Sequence, residues 1–201
     1  MLKIYHSPNA RSLRVLWLCE EMGVPYEVAA GSFVKPSEEF RAANPLLTIP
    51  AMTHGDVTMI ESVAMMIYIM EKFGPTDLAV KPNEPAYAEY LQFLMFGEAG
   101  IAAYGNALVG TRYIAPEDQK QNWTASYLKS TILKRLQYVA DHLAGRPYVA
   151  ANRFTAADIC VSYIANGAKF AGIADEIPEA IKSYVAGLHA RPAFQRAAAV
   201  K

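Results

Sequence analysis

Three short stretches carry side chains able to do chemistry. "YHSPNARSL", residues 5 to 13, runs from an apolar strand through a polar turn into a helix, and the turn offers Ser7, Asn9, Arg11 and Ser12. Backbone N–H groups at a helix start lack partners and the helix dipole favours negative charge, so such a turn suits an anion. Asn, Ser and Pro also favour turns whatever the function. "ESVAMMIYI" opens a second such helix with Glu61 and Ser62. Ser62 adds a hydroxyl for an anion there, and Glu61 adds a carboxylate for an ammonium group. The plainer reading is helix capping by Ser62, with Glu61 favouring the dipole. In "NPLLTIPAM", Pro50 follows Ile49 at the approach to a strand; such a bond is open to the cis form, which sequence alone does not show.

The remaining reactive groups are quieter. Cys19 and Cys160 make no CxxC or metal spacing. Cys19 sits well inside the first helix in an apolar run, and Cys160 inside a later helix; both read as buried structural cysteines. The four histidines are scattered without ligand spacing, so no built-in metal is expected. Lys plus Arg and Asp plus Glu are 19 each, which gives no electrostatic case for gripping nucleic acid. The N-terminus has no basic, apolar, small-residue leader, so no signal peptide is expected. The longest apolar run, Val63 to Met70, falls well short of the roughly 20 residues that span a bilayer. A cytoplasmic protein with reduced thiols, no membrane partner and a real core is expected.

Stepping along the chain, Leu2–Tyr5 reads as a strand, Leu13–Met22 as a helix stopped by Gly23, and Tyr26–Ala29 as a second strand. Pro36–Ala43 carries a short helix, Ile49–Met52 and Val57–Ile60 flank the hairpin turn "THGD", and Ser62–Phe73 is a buried helix. The stretch "FGPTDLAVKPNEP" reads as a linker. Beyond it everything is helical: Tyr87 to about Thr111; a helix with Pro116 in its first turn and the apolar stripe Leu128, Ile132, Leu136, Val139 and Leu143; a helix opened by "FTAADI"; Pro178–His189; and a last one from Pro192. Thr155 and Asp158 form a capping box, with Phe154 and Ile159 placed as its hydrophobic staple.

In this order and spacing, "YHSPNARSLRVLWLCEE", "NPLLTIPAM", "ESVAMMIYI" and "FTAADI" resemble the cytosolic glutathione transferase family over the whole chain. The likeness is to a bacterial type with a serine- or asparagine-like turn in place of tyrosine or cysteine. The resemblance implies an α/β domain followed by an all-α one: a thioredoxin-like glutathione-binding domain at 1–75, a linker at 76–85 and an all-helical domain at 86–201. It also implies glutathione as co-substrate, an acceptor pocket between the domains and a homodimer. Glu61 and Ser62 would hold the γ-glutamyl end, and Ile49, before a cis Pro50, would pair its backbone with the cysteinyl part. Many relatives have a polar pair where Leu46 and Leu47 stand; the glycyl carboxylate then falls to another group, with Lys35 the candidate, or is held loosely. For the thiol, Asn9 ranks first, Ser12 second and Ser7 third, with Arg11 adding positive charge and Tyr5 left to the core. Phe96, Tyr104 and Tyr113 are the acceptor-pocket candidates, with Trp123 further on, and Glu98 is a candidate for reaching a partner's glutathione.

The expected activity is thiolate attack on a small apolar electrophile. Two rivals stay open: another glutathione-dependent reaction (ether cleavage, dehalogenation, isomerisation, peroxide reduction), and a non-catalytic carrier of apolar ligands.

Overall fold

A computed structural model of the chain describes residues 1–164 and 167–201. The chain divides into two compact units, residues 1–79 with 189–201, and residues 80–188.

The first unit is built on a sheet of β1 (Leu2–His6), β2 (Tyr26–Ala30), β3 (Ala51–His54) and β4 (Val57–Ile60) in the order β2-β1-β3-β4. β1 is parallel to β2, so a crossover must join them; α1 (Ser12–Met22) is that crossover. β3 runs antiparallel to both β1 and β4, and α2 (Glu38–Ala43) and α3 (Ser62–Phe73) complete the unit. This is the expected thioredoxin-like arrangement. Gly23 ends α1 in the left-handed conformation, φ +66°. Two elements start two residues later than expected, for local reasons. α2 starts at Glu38 because the Ser37 hydroxyl accepts from Phe40 N at 3.1 Å, an ordinary N-cap. β3 starts at Ala51, not Ile49, since Pro50 has no N–H for a ladder.

α1 is buried from Ser12 through Cys19. One cover is α10 (Pro192–Ala198), whose Phe194 meets Trp17 edge-on with ring centroids 4.9 Å apart. Arg191 forks onto Glu21 with bonds of 2.6 and 2.8 Å, and Arg196 donates to Glu20 at 2.6 Å. His189 stacks on Phe194, centroids 3.8 Å apart. Burial lowers its pKa to about 4.

In the second unit the helical run from Tyr87 extends to Ile114, but it is not one regular helix. α4 (Tyr87–Met95) passes into a π-helical segment (Phe96–Ala102), then α5 (Ala103–Val109), then a second π-helical segment (Gly110–Ile114). Two points differ from the sequence reading. The π segments carry no periodicity signal, because a wider turn shifts the register by a single residue. Pro116 does not open the next long helix; residues 117–119 make one 3₁₀ turn, and α6 (Trp123–His142) starts where Asn122 Oδ1 accepts from Ala125 N at 3.0 Å. The stripe from Leu128 to Leu143 is buried.

α7 (Ala156–Ser162) opens on the expected capping box. Asp158, fully buried, accepts from Thr155 N at 2.8 Å, Val149 N at 3.0 Å and the Tyr184 hydroxyl at 2.6 Å. Burial pushes its carboxyl pKa up while these donors pull it back. α8 (Ile164–Phe170) and α9 (Glu179–His189) follow. Among the described residues no helix is long and apolar enough to cross a membrane.

Two predictions follow from this packing. Gly97 lies against α7 so closely that a Cβ would fall 2.5 Å from the carbonyl carbon of Cys160. Gly97→Ala should cost more than about 2 kcal/mol in urea denaturation, because backbone cannot step aside as a side chain can. His189 titrates lower folded, at about 4, than unfolded. Its contribution is therefore intact above the unfolded pKa of about 6.5 and is lost as pH falls towards 4. Allowing for partial exposure, about 1–2 kcal/mol should disappear over that window. His189→Gln should remove this part of the acid dependence of unfolding.

Candidate functional site

The strand register decides which loops meet. His6, the last residue of β1, pairs with Ala30, the last of β2. Tyr5 pairs with Ala51, the first residue of β3, and Ala51 with Ile60, the last of β4. The segments after β1, after β2, before β3 and after β4 therefore all leave one end of the sheet. Ser7, Asn9, Arg11, Lys35, Ile49, Pro50, Glu61 and Ser62 stand on or beside those segments. The opposite end carries Gly23 and Gly55 at positive φ, whereas this end carries Asn9 at φ 63°, Leu47 at 55° and Glu61 at 75°.

In the first turn, Ala10 N donates to Ser7 O at 3.1 Å and Leu13 N to Ala10 O at 3.0 Å. Asn9 is exposed and left-handed, a conformation asparagine tolerates better than most residues. Ser7 and Arg11 are half-buried. Ser12 is fully buried, with Oγ 2.8 Å from His6 Nδ1 and 3.4 Å from the Ser7 carbonyl. Its hydroxyl is turned into the unit, not towards solvent. His6 is itself buried, and burial lowers its pKa against an opposing contribution from the Val200 backbone. Tyr5 packs on Phe40 in the core, as expected. Cys19 is also in the core, its thiol pushed up to about 12 by burial, and Cys160 is buried too.

At the second helix start, Glu61 is exposed at φ 75° and ψ 103°. Its carbonyl accepts from Met65 N at 3.0 Å, which fixes it at the head of α3. Ser62 is 3% exposed and accepts from Arg14 Nη1 at 3.2 Å; Arg14, on α1, is 1% exposed. The Ile49–Pro50 bond is cis, as the family resemblance implied. Ile49 and Leu47 pack partly against the cluster of Tyr5, Phe40, Ala43 and Ala51. Leu46 is exposed. Lys35 is exposed on the segment after β2, its N–H donating to Ser32 Oγ at 3.0 Å.

The acceptor candidates of the second unit fall in different surroundings. Phe96 is half-buried, its ring edge-on to Phe93 and Tyr138 with centroids 6.2 and 5.6 Å away. Tyr104 lies under the Arg135 guanidinium, 3.8 Å from the ring centroid. Tyr113 is exposed, as is Trp123, which stacks on Tyr127. Glu98 is half-buried. Sequence reasoning passed over His6 and Arg14. The signal for Arg14 was present: a charged residue in the apolar run "SLRVLWLC" needs a partner once that helix is buried.

A family model described as the glutathione S-transferase N-terminal domain matches residues 2–77, and one for the C-terminal domain matches residues 106–196. Glutathione S-transferase 3 of Schizosaccharomyces pombe is 30% identical over 174 residues, covering 79% of this chain and 70% of the relative. Maleylacetoacetate isomerase of Mus musculus is 27% identical over 155 residues, covering 74% and 69%. Among solved structures, a glutathione transferase family member from Pseudomonas fluorescens with two glutathione bound superposes with a TM-score of 0.84 at 27% identity, covering 100% of this chain and 93% of that one.

The backbone at Glu61 yields a prediction of its own. A side chain held at that φ and ψ costs about 1–3 kcal/mol, more than the entropy glycine would add back. Glu61→Gly should raise the urea midpoint, by about 1 kcal/mol in stability, while weakening any ligand held through its carboxylate. Denaturation and ligand titration on the same variant check both halves.

Proposed function

The chain belongs to the cytosolic glutathione S-transferase family, and on that footing we propose that it binds glutathione at the end of the first unit's sheet and activates its thiol. The observation that carries this is the meeting there of two helix starts, each preceded by an exposed polar residue at positive φ, Asn9 and Glu61. Glu61 takes the γ-glutamyl ammonium, Ser62 and the head of α3 its carboxylate, and the Ile49 backbone the cysteinyl part. The sheet register ends at Ala51, so the peptide groups of Ile49 lie beyond the ladder, where a peptide ligand can pair. Lys35 serves the glycyl carboxylate.

The thiol then lies at the start of α1. A free thiol titrates at about pH 8.5, and lowering that by two units takes about 2.7 kcal/mol. The Asn9 amide, the Arg11 charge and the helix N-terminus supply it. Ser12 ranks after Asn9, because its hydroxyl is fully buried and turned into the unit while Asn9 is exposed; Ser7 stays third. The thiolate attacks an electrophilic carbon of a small apolar substrate; the carbon–sulfur bond forms as a leaving group departs with its bonding pair, or as an activated double bond yields its π pair to a solvent proton, with no covalent enzyme intermediate. Catalysis is proximity plus stabilisation of sulfur. Phe96, Tyr104 and Tyr113 remain the candidates for contact with the electrophile. The protein acts as a cytoplasmic homodimer without a metal. The likeness to an isomerase favours glutathione-dependent isomerisation as a second reading, since the same thiolate serves it.

The test is the ultraviolet titration of the thiol of bound glutathione. Asn9→Gly is the informative variant, because glycine keeps the left-handed turn that alanine would strain by about 1–2 kcal/mol. The parent should show a thiol lowered by about two units; Asn9→Gly should return at least half of that, and Ser12→Ala should not. An unshifted thiol in the parent, or no binding, would replace the enzyme with a carrier of apolar ligands.

A further inference from the structure

We infer that Arg14 is a positioning residue for the carboxylate subsite at α3: it aims the Ser62 hydroxyl proton at the ligand. The inference rests on the glutathione reading above and deepens it.

A guanidinium is a donor only, and a serine hydroxyl has one proton and two acceptor positions. Arg14 Nη1 donates to Ser62 Oγ at 3.2 Å, so that contact fills an acceptor position and leaves the Ser62 proton to be placed elsewhere. Inside a helix a serine proton commonly goes to the carbonyl four residues back. Ser62 is the first residue of α3, and the residue four before it belongs to β4, so no preceding helical turn receives the proton. The acceptor it suits is an anion at the head of α3, alongside the unpaired N–H groups of the first turn. Arg14 cannot swing away from this task, since it is 1% exposed on a helix buried from Ser12 to Cys19. α1 thus serves both ends of the ligand, the thiol at its N-terminal turn and the carboxylate through Arg14.

The experiment measures dissociation constants by calorimetry for glutathione and for an analogue lacking the γ-glutamyl α-carboxylate. The proteins are the parent, Arg14→Met, Arg14→Gln, Ser62→Ala and the double variant Arg14→Met with Ser62→Ala. Methionine keeps an apolar stem and removes the donor; glutamine keeps an N–H. Arg14→Met should weaken glutathione about tenfold, leave the analogue unchanged, and add nothing to Ser62→Ala. Arg14→Gln should recover most of the loss. Equal weakening of both ligands, or no weakening of glutathione, overturns the inference. If Arg14→Met does not fold, Ser62→Ala decides alone: it must lose glutathione affinity and spare the analogue, and any other result counts against the inference. If the parent does not bind glutathione, it is the underlying reading that fails, and the inference falls with it.

Discussion

The burial of α1 is the constraint on which the first unit depends. A helix covered along eight successive residues, Ser12 to Cys19, cannot leave a polar side chain on any face without a partner. Its sequence nevertheless includes Ser12 and Arg14 in the covered stretch, with Glu20 and Glu21 at its edge. They are answered from three places: Ser12 by His6 of β1, Arg14 by Ser62 of α3, and Glu20 and Glu21 by Arg196 and Arg191 from the end of the chain. The polar residues of one helix therefore tie sheet, α3 and C-terminal segment into a single unit. The helix whose N-terminus borders the proposed thiol site is held at several points along its length.

That fixation bears on function through preorganisation. An anion site made of helix N-termini works only if the N–H groups already point the right way before charge arrives. α1 is held by its buried partners and α3 by the Arg14–Ser62 contact and the Met65–Glu61 backbone bond. On the proposed reading, the exposed residues Asn9 and Glu61 are carried at the starts of helices that the fold already holds in place.

Much of this was legible in the sequence. The strands and helices of residues 1–73 followed from apolar runs, turn residues and Gly23, and the α6 stripe and the Thr155–Asp158 box from spacing alone. What the sequence concealed was long-range. Ser12 reads as a hydroxyl at a helix start, and only the fold reveals that β1 brings His6 under it. Arg191 and Arg196 carry no local signal; they pack on α1 because Glu20 and Glu21, some 170 residues earlier, need cations at a partly buried edge. The π segments within Phe96–Ile114 were invisible because a one-residue slip leaves composition unchanged. Pro116 fits a helix start as well as it fits the 3₁₀ turn that forms there.

Positive φ, taken alone, is a poor guide to a site. Gln121, Ala151 and Asn152 in the second unit share it. Gln121 directly precedes the Asn122 cap of α6, and Ala151 and Asn152 precede the Thr155 box of α7; all three adjust the chain's entry to a helix. Leu47 turns its side chain partly into the core cluster. Asn9 and Glu61 differ in combining three properties: positive φ, an exposed polar side chain, and a place at the end of the sheet where the strand register gathers the loops. Glycine would meet the backbone demand at either position more cheaply, as it does at Gly23 and Gly55 on the far end. Asparagine relieves part of the cost at Asn9 by its tolerance of the left-handed region. Glutamate has no such tolerance at Glu61, and its side chain makes no capping bond there. The strain at Glu61, with no side-chain cap bond to set against it, supports the role proposed for its carboxylate.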